Sequence, residues 1–214
     1  MRLEYYAHAC FAFTDRRGKR VLIDPYGPEV GYKLPQRPAE VTVITHDHFD
    51  HNHLAAVVGP TQVVRFPRQV EGFSFRSLLL DHDREGGALY GKVRAFCWEM
   101  DGLRLCHLSD LGRLLTAEEK QEIGPLDVLM LPCGGGGYTL CSGWARQLVG
   151  ELKPRWALPM HYRTPFLNRE MFPELEPVKA FLNGSLPVHA TSESAIELSP
   201  APGLTEILHL AHRF

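Results

Sequence analysis

A short apolar run that ends in a dense group of histidines constrains this chain more than any other feature. Residues 41–45 read Val-Thr-Val-Ile-Thr, a β-branched sequence that is typical of a buried strand. Four side chains with nitrogen or oxygen donors follow it, at His46, His48, Asp50 and His51. A strand that ends in a tight loop can direct such side chains into one pocket, where they suit zinc, manganese or iron. A histidine-rich surface loop would not explain the strand that delivers the cluster.

Three more polar residues stand directly after apolar runs later in the chain, at His82, Asp110 and His161. Each of them alone would more often be an ordinary polar residue at a strand end. Together with the first four they supply seven donors, enough to hold two metal ions with a carboxylate and a water between them. The sequence therefore predicts a dinuclear metal site built at the ends of several strands.

Short apolar runs separated by turns predict a protein rich in strands. The strand-like runs cover residues 2–6, 11–14, 20–25, 41–45, 61–66, 73–80, 92–99, 103–108, 127–132 and 156–160, and two short strands close the chain. The predicted helices cover 53–58 with Asn52 as its cap, 116–122 with a capping box, 142–152 and 174–182. Strand-rich halves that each finish in helices indicate packed sheets with helices on both outer faces.

Length and composition fit a single globular domain over residues 1–214, with 44% hydrophobic residues. The formal net charge of −2 gives no general attraction to nucleic acid or to acidic membranes. Apolar runs stay short of the roughly 20 residues of a membrane span, and the N-terminal residues lack the apolar core of a signal peptide. Five cysteines without a Cys-x-x-Cys pair predict free thiols and a cytoplasmic location.

The motif that begins at His46 resembles the signature of the metallo-β-lactamase superfamily, and Asp24-Pro25 on the preceding strand also matches. The matching donors, in that family's order, are His46, His48, Asp50, His51, His82, Asp110 and His161. A narrower resemblance, to the branch that includes ascorbate-6-phosphate lactonase-like hydrolases, lies in the segments 82–83, 107–112, 132–135 and 159–162. The match extends over most of the chain, from about residue 3 to 165.

This resemblance implies an α+β fold, the four-layer αββα sandwich of the metallo-β-lactamase type, with metal ions at one edge. In that family's arrangement the first ion is held by His46, His48 and His82. The second ion is held by Asp50, His51 and His161, with Asp110 as the bridge between the two. Zinc is the expected metal, with manganese or iron as alternatives that the same donors suit.

Several positions depart from the pattern of this branch. Ser109 precedes the bridging aspartate where glycine is usual, Arg113 stands where histidine is frequent, and Cys141 stands where an acidic residue is common. The glycine run 134–137 is one residue longer than usual. These departures leave the predicted ligands in place and alter the wall of the pocket. The motif is therefore specific for the metal site and says little about the substrate.

Other polar residues near the motifs are weaker candidates. His8 follows a strand near the expected site. The sequence supports equally that His8 contacts the substrate or the metal ligands and that it has only a structural role. His53 is expected on a helix surface and His107 in a buried structural role. Tyr162 stands beside a predicted ligand and is a candidate donor to a substrate oxygen. Cys133 can line the pocket, but nothing in the sequence marks it as a nucleophile.

The leading hypothesis is a metal-dependent hydrolase of a small anionic molecule. In it a metal-bridging hydroxide attacks a lactone, ester or amide, and Asp50 passes a proton to the leaving group. The alternatives are a phosphodiesterase or nuclease on the same two ions, and a non-hydrolytic protein that uses the site for metal binding or di-iron redox chemistry.

The near-neutral charge balance argues against a nucleic-acid partner, and no membrane partner is expected. Association into a homo-oligomer stays open. Arg16, Arg17, Lys19 and Arg20 can bind one phosphate group.

Overall fold

The structure is a computed structural model that describes residues 1–212, and β-strands are its main secondary structure. The strands are β1 (Arg2–Ala7), β2 (Cys10–Thr14), β3 (Arg20–Ile23), β4 (Val41–Val43), β5 (Gln62–Val64), β6 (Arg68–Val70), β7 (Phe73–Asp81), β8 (Lys92–Met100), β9 (Leu103–His107), β10 (Val128–Pro132), β11 (Trp156–Met160), β12 (Val188–Ala190), β13 (Ala195–Glu197) and β14 (Glu206–His209). The α-helices are α1 (Ala117–Ile123), α2 (Ser142–Leu152) and α3 (Lys179–Leu182), and 3-10 helices cover Pro28–Val30 and Leu54–Ala56.

The strands of residues 1–212 form two sheets, one with six strands and one with eight. The order is β13-β1-β2-β3-β4-β5 in the first sheet and β12-β14-β11-β10-β9-β8-β7-β6 in the second. In the first sheet, β1, β3 and β4 run in one direction, because β2 is antiparallel to both β1 and β3 and β4 is parallel to β3. By the same reasoning β7, β9, β10 and β11 run in one direction in the second sheet.

The core lies between the two sheets because alternate side chains of each strand face inward. On β2, Phe11 and Phe13 belong to this core, whereas Cys10 and Ala12 face a smaller apolar layer on the other side. The ring of Phe13 lies 5.1 Å from that of Trp98 on β8, centroid to centroid, so aromatic packing joins the two sheets. The smaller layer is closed by residues of loops and of the 3-10 helix Pro28–Val30.

This architecture confirms the α+β sandwich that the sequence resemblance implied. The predicted helix over 53–58 is wrong, because only the 3-10 helix Leu54–Ala56 forms there. His53 is its N-terminal flanking residue, and the Asn52 side chain donates to the Asp47 carboxylate instead of capping the helix. None of the helices within residues 1–212 has the length and apolar character that crossing a bilayer requires.

The predicted helix over 174–182 is also shorter than expected and reduces to α3. Residues 175–177 pair with two other loops instead, because the Glu176 N–H donates to the Gly134 carbonyl and the Glu176 carbonyl accepts from Arg163. Proline at position 177 lacks an N–H and disfavours a helical conformation in the residue before it. Three short strands rather than two follow α3, and β6 was not expected from the sequence.

Candidate metal centre

All seven predicted ligands meet at one edge of the sandwich, where the strands that run in one direction have their carboxyl ends. Six of them form two groups of three, and within each group the donor atoms lie within 4.8 Å of one another. We call His46, His48 and His82 the histidine group, and Asp50, His51 and His161 the carboxylate group. His8, which follows β1, lies within the same distance limits of the carboxylate group.

Asp110 lies between the two groups. Its Oδ2 atom is 3.1 Å from Nε2 of His51 and 3.1 Å from Nε2 of His161. The same oxygen is 3.7 Å from Nε2 of His82 in the histidine group. The Asp110 carboxylate also forms a third cluster of possible ligands with His46 and His51. This position suits the bridging role that the sequence resemblance implied.

Hydrogen bonds on the far side of the ring fix the orientation of three of the histidines. Nδ1 of His51 donates to the Asp24 carboxylate at 2.9 Å, and Nδ1 of His82 donates to the Tyr138 carbonyl at 2.8 Å. Nδ1 of His46 lies 3.0 Å from the Thr45 hydroxyl. Because a carboxylate and a carbonyl can only accept, Nδ1 carries the proton in His51 and His82, which leaves Nε2 free for a metal.

His8 orients the Asp50 carboxylate. Its Nε2 lies 2.7 Å from Oδ2 of Asp50, and both side chains are buried. Burial and the neighbouring His161 lower the pKa of His8 to about 4, so the ring is neutral near pH 7 and donates this hydrogen bond. The sequence left the role of His8 open. Its position after β1, a strand parallel to β3, is the signal that could have placed it at this edge.

The two groups differ in the protonation that their surroundings favour. Burial lowers the pKa of His46 and of His48 below the ordinary value, so both are neutral. Burial alone would also lower the pKa of His161, but the carboxylates of Asp110 and Asp50 raise it to about 9. Despite the same cost of burial, these carboxylates raise the pKa of His51 well above its ordinary value. Without a metal ion, protons therefore supply the positive charge of the carboxylate group.

Buried donor atoms without hydrogen-bond partners show that these residues fit divalent cations. Among the described residues, Nε2 of His46 and Oδ1 of Asp110 are such atoms. Nε2 of His51 and Nε2 of His161 instead lie 3.1 Å from Oδ2 of Asp110. An unpaired buried polar atom costs about 1–3 kcal/mol, and its presence needs an explanation. Imidazole nitrogen and carboxylate oxygen are the ligands that zinc and similar ions take. The donor set and its unpaired atoms are thus explained together by metal binding.

The turns that carry these side chains adopt a strained backbone conformation. His8, Asp24, Ser109 and His161 all have φ between 50° and 53°, the left-handed region that is unfavourable for residues other than glycine. This explains why glycine is usual at the position of Ser109. Here the Ser109 hydroxyl donates to the Thr45 hydroxyl at 2.7 Å, which helps to hold the serine in this conformation.

Two glycines allow the backbones of the site to approach closely. A Cβ atom on Gly134 would lie 2.2 Å from the His161 carbonyl oxygen. A Cβ atom on Gly112 would lie 2.4 Å from the His82 carbonyl oxygen. Neither distance is sterically possible, so glycine is required next to two of the predicted ligands. The glycine-rich segment therefore shapes the turn beside the cluster.

A cavity of about 150 Å³ opens onto the cluster. Besides five of the predicted ligands, its described lining consists of residues that we call the apolar wall: Phe49, Tyr90, Tyr138, Met171 and Phe172. The Tyr138 hydroxyl is buried and has no hydrogen-bond partner among the described residues. A larger cavity of about 530 Å³ is lined by parts of β7, β8, β9 and α1 and contains none of the predicted ligands.

The remaining candidates from the sequence lie away from this cavity. Tyr162 is buried in the main core, with its hydroxyl 3.5 Å from Nε2 of His209, and does not line this cavity, whereas Tyr138 does. A contact of Tyr162 with substrate stays a prediction. His107 is buried and donates to the Ala9 carbonyl, the structural role expected for it. Cys133 is fully buried, and burial raises its pKa, which rules out an activated thiol.

The basic hairpin between β2 and β3 does not line the cavity either. Its side chains are engaged locally, with Arg17 paired to Asp15, Lys19 to Glu71 and Arg20 to Glu4. The backbone of Arg16 donates to Asp101 after β8, at the end of the strands opposite the predicted ligands. A phosphate bound at this hairpin would therefore lie far from the cluster.

Comparisons with known proteins all point to the same family. The family model of the β-lactamase superfamily domain matches residues 2–161. A UPF0173 protein of Pyrococcus furiosus is 31% identical over 185 residues, which cover 77% of this chain and 84% of that protein. A UPF0173 metal-dependent hydrolase of Thermococcus onnurineus is 27% identical over 194 residues, which cover 77% of this chain and 85% of that protein.

Among solved structures, a protein from Thermotoga maritima that is described as a Zn-dependent hydrolase of the metallo-β-lactamase superfamily aligns with a TM-score of 0.78 and 30% sequence identity. The alignment covers 98% of this chain and 97% of that one. The observed sandwich therefore agrees with this solved structure along nearly the whole chain.

Proposed function

The chain belongs to the metallo-β-lactamase superfamily of metal-dependent hydrolases, and we propose that it uses two divalent ions to cleave a lactone, ester or amide of a small anionic molecule. The observation that carries this proposal is the meeting of seven donors beside a small cavity, with buried unpaired atoms on His46 and Asp110. Two groups of three ligands with a shared carboxylate are more than a single ion needs.

The histidine group would hold one ion and the carboxylate group the other, with Asp110 shared between them. Zinc is the metal that we propose, and manganese or iron suit the same donors. When bound, the ions would lower the pKa of a water molecule and stabilise negative charge that develops on the substrate. This chemistry requires no serine or cysteine nucleophile, in keeping with the raised pKa of Cys133.

Asp50 is the residue that we propose to move a proton. The hydrogen bond from His8 fixes its Oδ2 atom, and Asp50 also lines the cavity, so Oδ1 can take the proton of the attacking water. The same oxygen then gives the proton to the departing oxygen or nitrogen. Burial raises the pKa of Tyr138, so its unpaired hydroxyl stays protonated and can donate to a substrate carbonyl.

The size and lining of the cavity support a small molecule rather than a polymer. The described lining contains no lysine or arginine, so an anionic group of the substrate would depend on the bound ions for its positive partner. A nucleic acid would require several cationic contacts to phosphates. We therefore keep the proposal of no nucleic-acid or membrane partner. The cytoplasmic location and the oligomeric state stay predictions from the sequence.

Turnover of a substrate panel by the metal-loaded protein tests this proposal. The panel contains a γ-lactone, p-nitrophenyl acetate, an anilide, a phosphodiester and a single-stranded oligonucleotide, each at low and high salt. We expect cleavage of a lactone, ester or amide that disappears on chelation and returns with zinc or manganese. Fast, salt-sensitive cleavage of the oligonucleotide alone would favour the nuclease alternative. Iron binding with redox activity and no hydrolysis would favour the non-hydrolytic one.

A further inference from the structure

Apolar and aromatic side chains surround the predicted ligands on the open side of the site. Phe49 is 41% exposed and Met171 is 46% exposed, and both belong to the apolar wall of the cavity. A single exposed apolar residue on a surface is common and needs no explanation. Here the exposed residues are continuous with a cavity that reaches the predicted ligands, which is the pattern of a ligand-binding surface.

One side of the apolar wall lies against the carboxylate group. The rings of Phe49 and Phe172 are nearly parallel, with centroids 6.0 Å apart. Phe172 in turn lies 6.0 Å from the ring of His161 and 5.0 Å from that of His8. A group that packs on Phe49 and Phe172 therefore stands directly beside the atoms that would hold the metal.

The other side of the apolar wall lies against the histidine group. The ring of Tyr90 is 5.6 Å from that of His82 and 5.7 Å from that of Tyr138, centroid to centroid. Tyr90 and Met171 both reach the cavity from loops outside the metal motif. The cavity thus has apolar surface on both sides of the cluster, with the polar atoms gathered at its floor.

Polar partners for a hydrophilic substrate are few on these walls. Apart from the predicted ligands, the described lining offers only the hydroxyls of Tyr90 and Tyr138. A sugar or phosphate held against this surface would lose its hydrogen bonds to water without replacing them, at about 1–3 kcal/mol for each unpaired group. An alkyl chain or aromatic ring would gain from the same contact.

We propose that the substrate carries an apolar group next to the bond that is cleaved, and that Phe49, Met171 and Phe172 bind this group. The inference rests on the proposed hydrolase function, since it names the substrate class of that site. A cavity of about 150 Å³ is large enough for one aromatic ring or a short alkyl chain. The product would then be a carboxylate with a short apolar substituent.

Binding of straight-chain carboxylates to the zinc-loaded protein tests the inference without requiring turnover. The probes are acetate, butyrate and hexanoate as product analogues, with succinate and inorganic phosphate as polar comparisons, measured by isothermal titration calorimetry. Each added methylene that is buried should tighten binding about two- to fourfold. Met171→Ala should reduce this dependence on chain length. Leu204→Ala, which changes an 86% exposed side chain outside the cavity, should leave it unchanged.

The outcomes separate this inference from the proposed function. Equal affinity for acetate and hexanoate, or tighter binding of succinate or phosphate than of hexanoate, would overturn the inference even if esters are hydrolysed. A chain-length dependence that Met171→Ala weakens would support it. The same dependence in a protein that hydrolyses no lactone, ester or amide would support apolar binding while refuting the hydrolysis that we propose. If Met171→Ala fails to fold, the dependence of carboxylate affinity on chain length in the wild-type protein tests the inference by itself.

Discussion

The two halves of the predicted metal centre differ in burial and in charge. In the histidine group, His46 and His48 are partly exposed, and their surroundings favour the neutral ring. In the carboxylate group, Asp50, His51 and His161 are buried, and the nearby carboxylates hold protons on both rings. Both groups line the cavity, and the carboxylate group is the more deeply buried of the two.

This difference predicts unequal affinity for metal. The carboxylate group combines negative charge with low exposure, where electrostatic attraction to a cation is strong. Hydrogen bonds from His51 to Asp24 and from His8 to Asp50 orient its ligands in advance. His48 has its Nδ1 3.2 Å from Nε2 of His82, another predicted ligand, rather than an orienting carboxylate. We expect the ion of the histidine group to be lost first on chelation.

Replacing the shared carboxylate should have the largest effect. Asp110→Ala removes the group that lies between both halves, so we expect loss of both ions and a fall in turnover on the order of a thousandfold or more. Metal content by elemental analysis and turnover of the best substrate measure this. Asp47→Ala is the matched control, because Asp47 lies in the same loop as the histidines but is exposed and pairs with Arg65. An Asp110→Ala protein that keeps two ions would contradict the bridging role.

Replacing an exposed ligand should remove only one ion. His48→Ala should leave about one ion per chain in the carboxylate group and lower turnover about a hundredfold or more. His53→Ala should change neither quantity, because His53 flanks a 3-10 helix and does not line the cavity. If His53→Ala lost activity as severely as His48→Ala, the assignment of His48 as a metal ligand and His53 as a non-ligand would be wrong.

Replacing His8, which orients Asp50, should have a smaller effect that is confined to the carboxylate group. His8→Asn keeps a residue that tolerates the left-handed backbone but removes the ring that donates to Asp50. We expect zinc affinity of the carboxylate group to fall about 10–100-fold, with the histidine group unchanged. Competition with a chelator of known affinity measures both. His8→Gln, whose longer amide can donate to Asp50, should restore part of the loss, whereas a purely structural role would give no such rescue.

The pH dependence of metal binding should also distinguish the two halves. His161 has its pKa raised from 6.5 to about 9, so protonation stabilises the metal-free fold fully below pH 6.5, and this stabilisation is lost as pH rises through about 9. Zinc must displace this proton. In His48→Ala, where only the carboxylate group binds, we expect affinity to rise about tenfold per pH unit for each displaced proton between pH 6.5 and 8.5. Calorimetry in two buffers counts the protons, and affinity independent of pH would contradict this account.

The sandwich and the meeting of the seven donors followed from a simple regularity in the sequence. Each donor or donor-rich loop stands just after an apolar run, and parallel strands bring their carboxyl ends to one edge. Which ion each donor binds stays a prediction. The apolar wall was not predictable, because Tyr90, Met171 and Phe172 lie in loops whose course depends on tertiary contacts. The Glu176 bond to Gly134, for example, holds residues near 171–176 beside the site in place of the expected helix.

Zinc titration of the chelator-treated protein tests the central claim most directly. We expect isothermal titration calorimetry, checked by elemental analysis, to give two ions per chain in two steps of different affinity. The tighter step should persist in His48→Ala and the weaker step should disappear. A firm limit of one ion per wild-type chain, at saturating zinc and neutral pH, would contradict the dinuclear centre on which the proposed function rests.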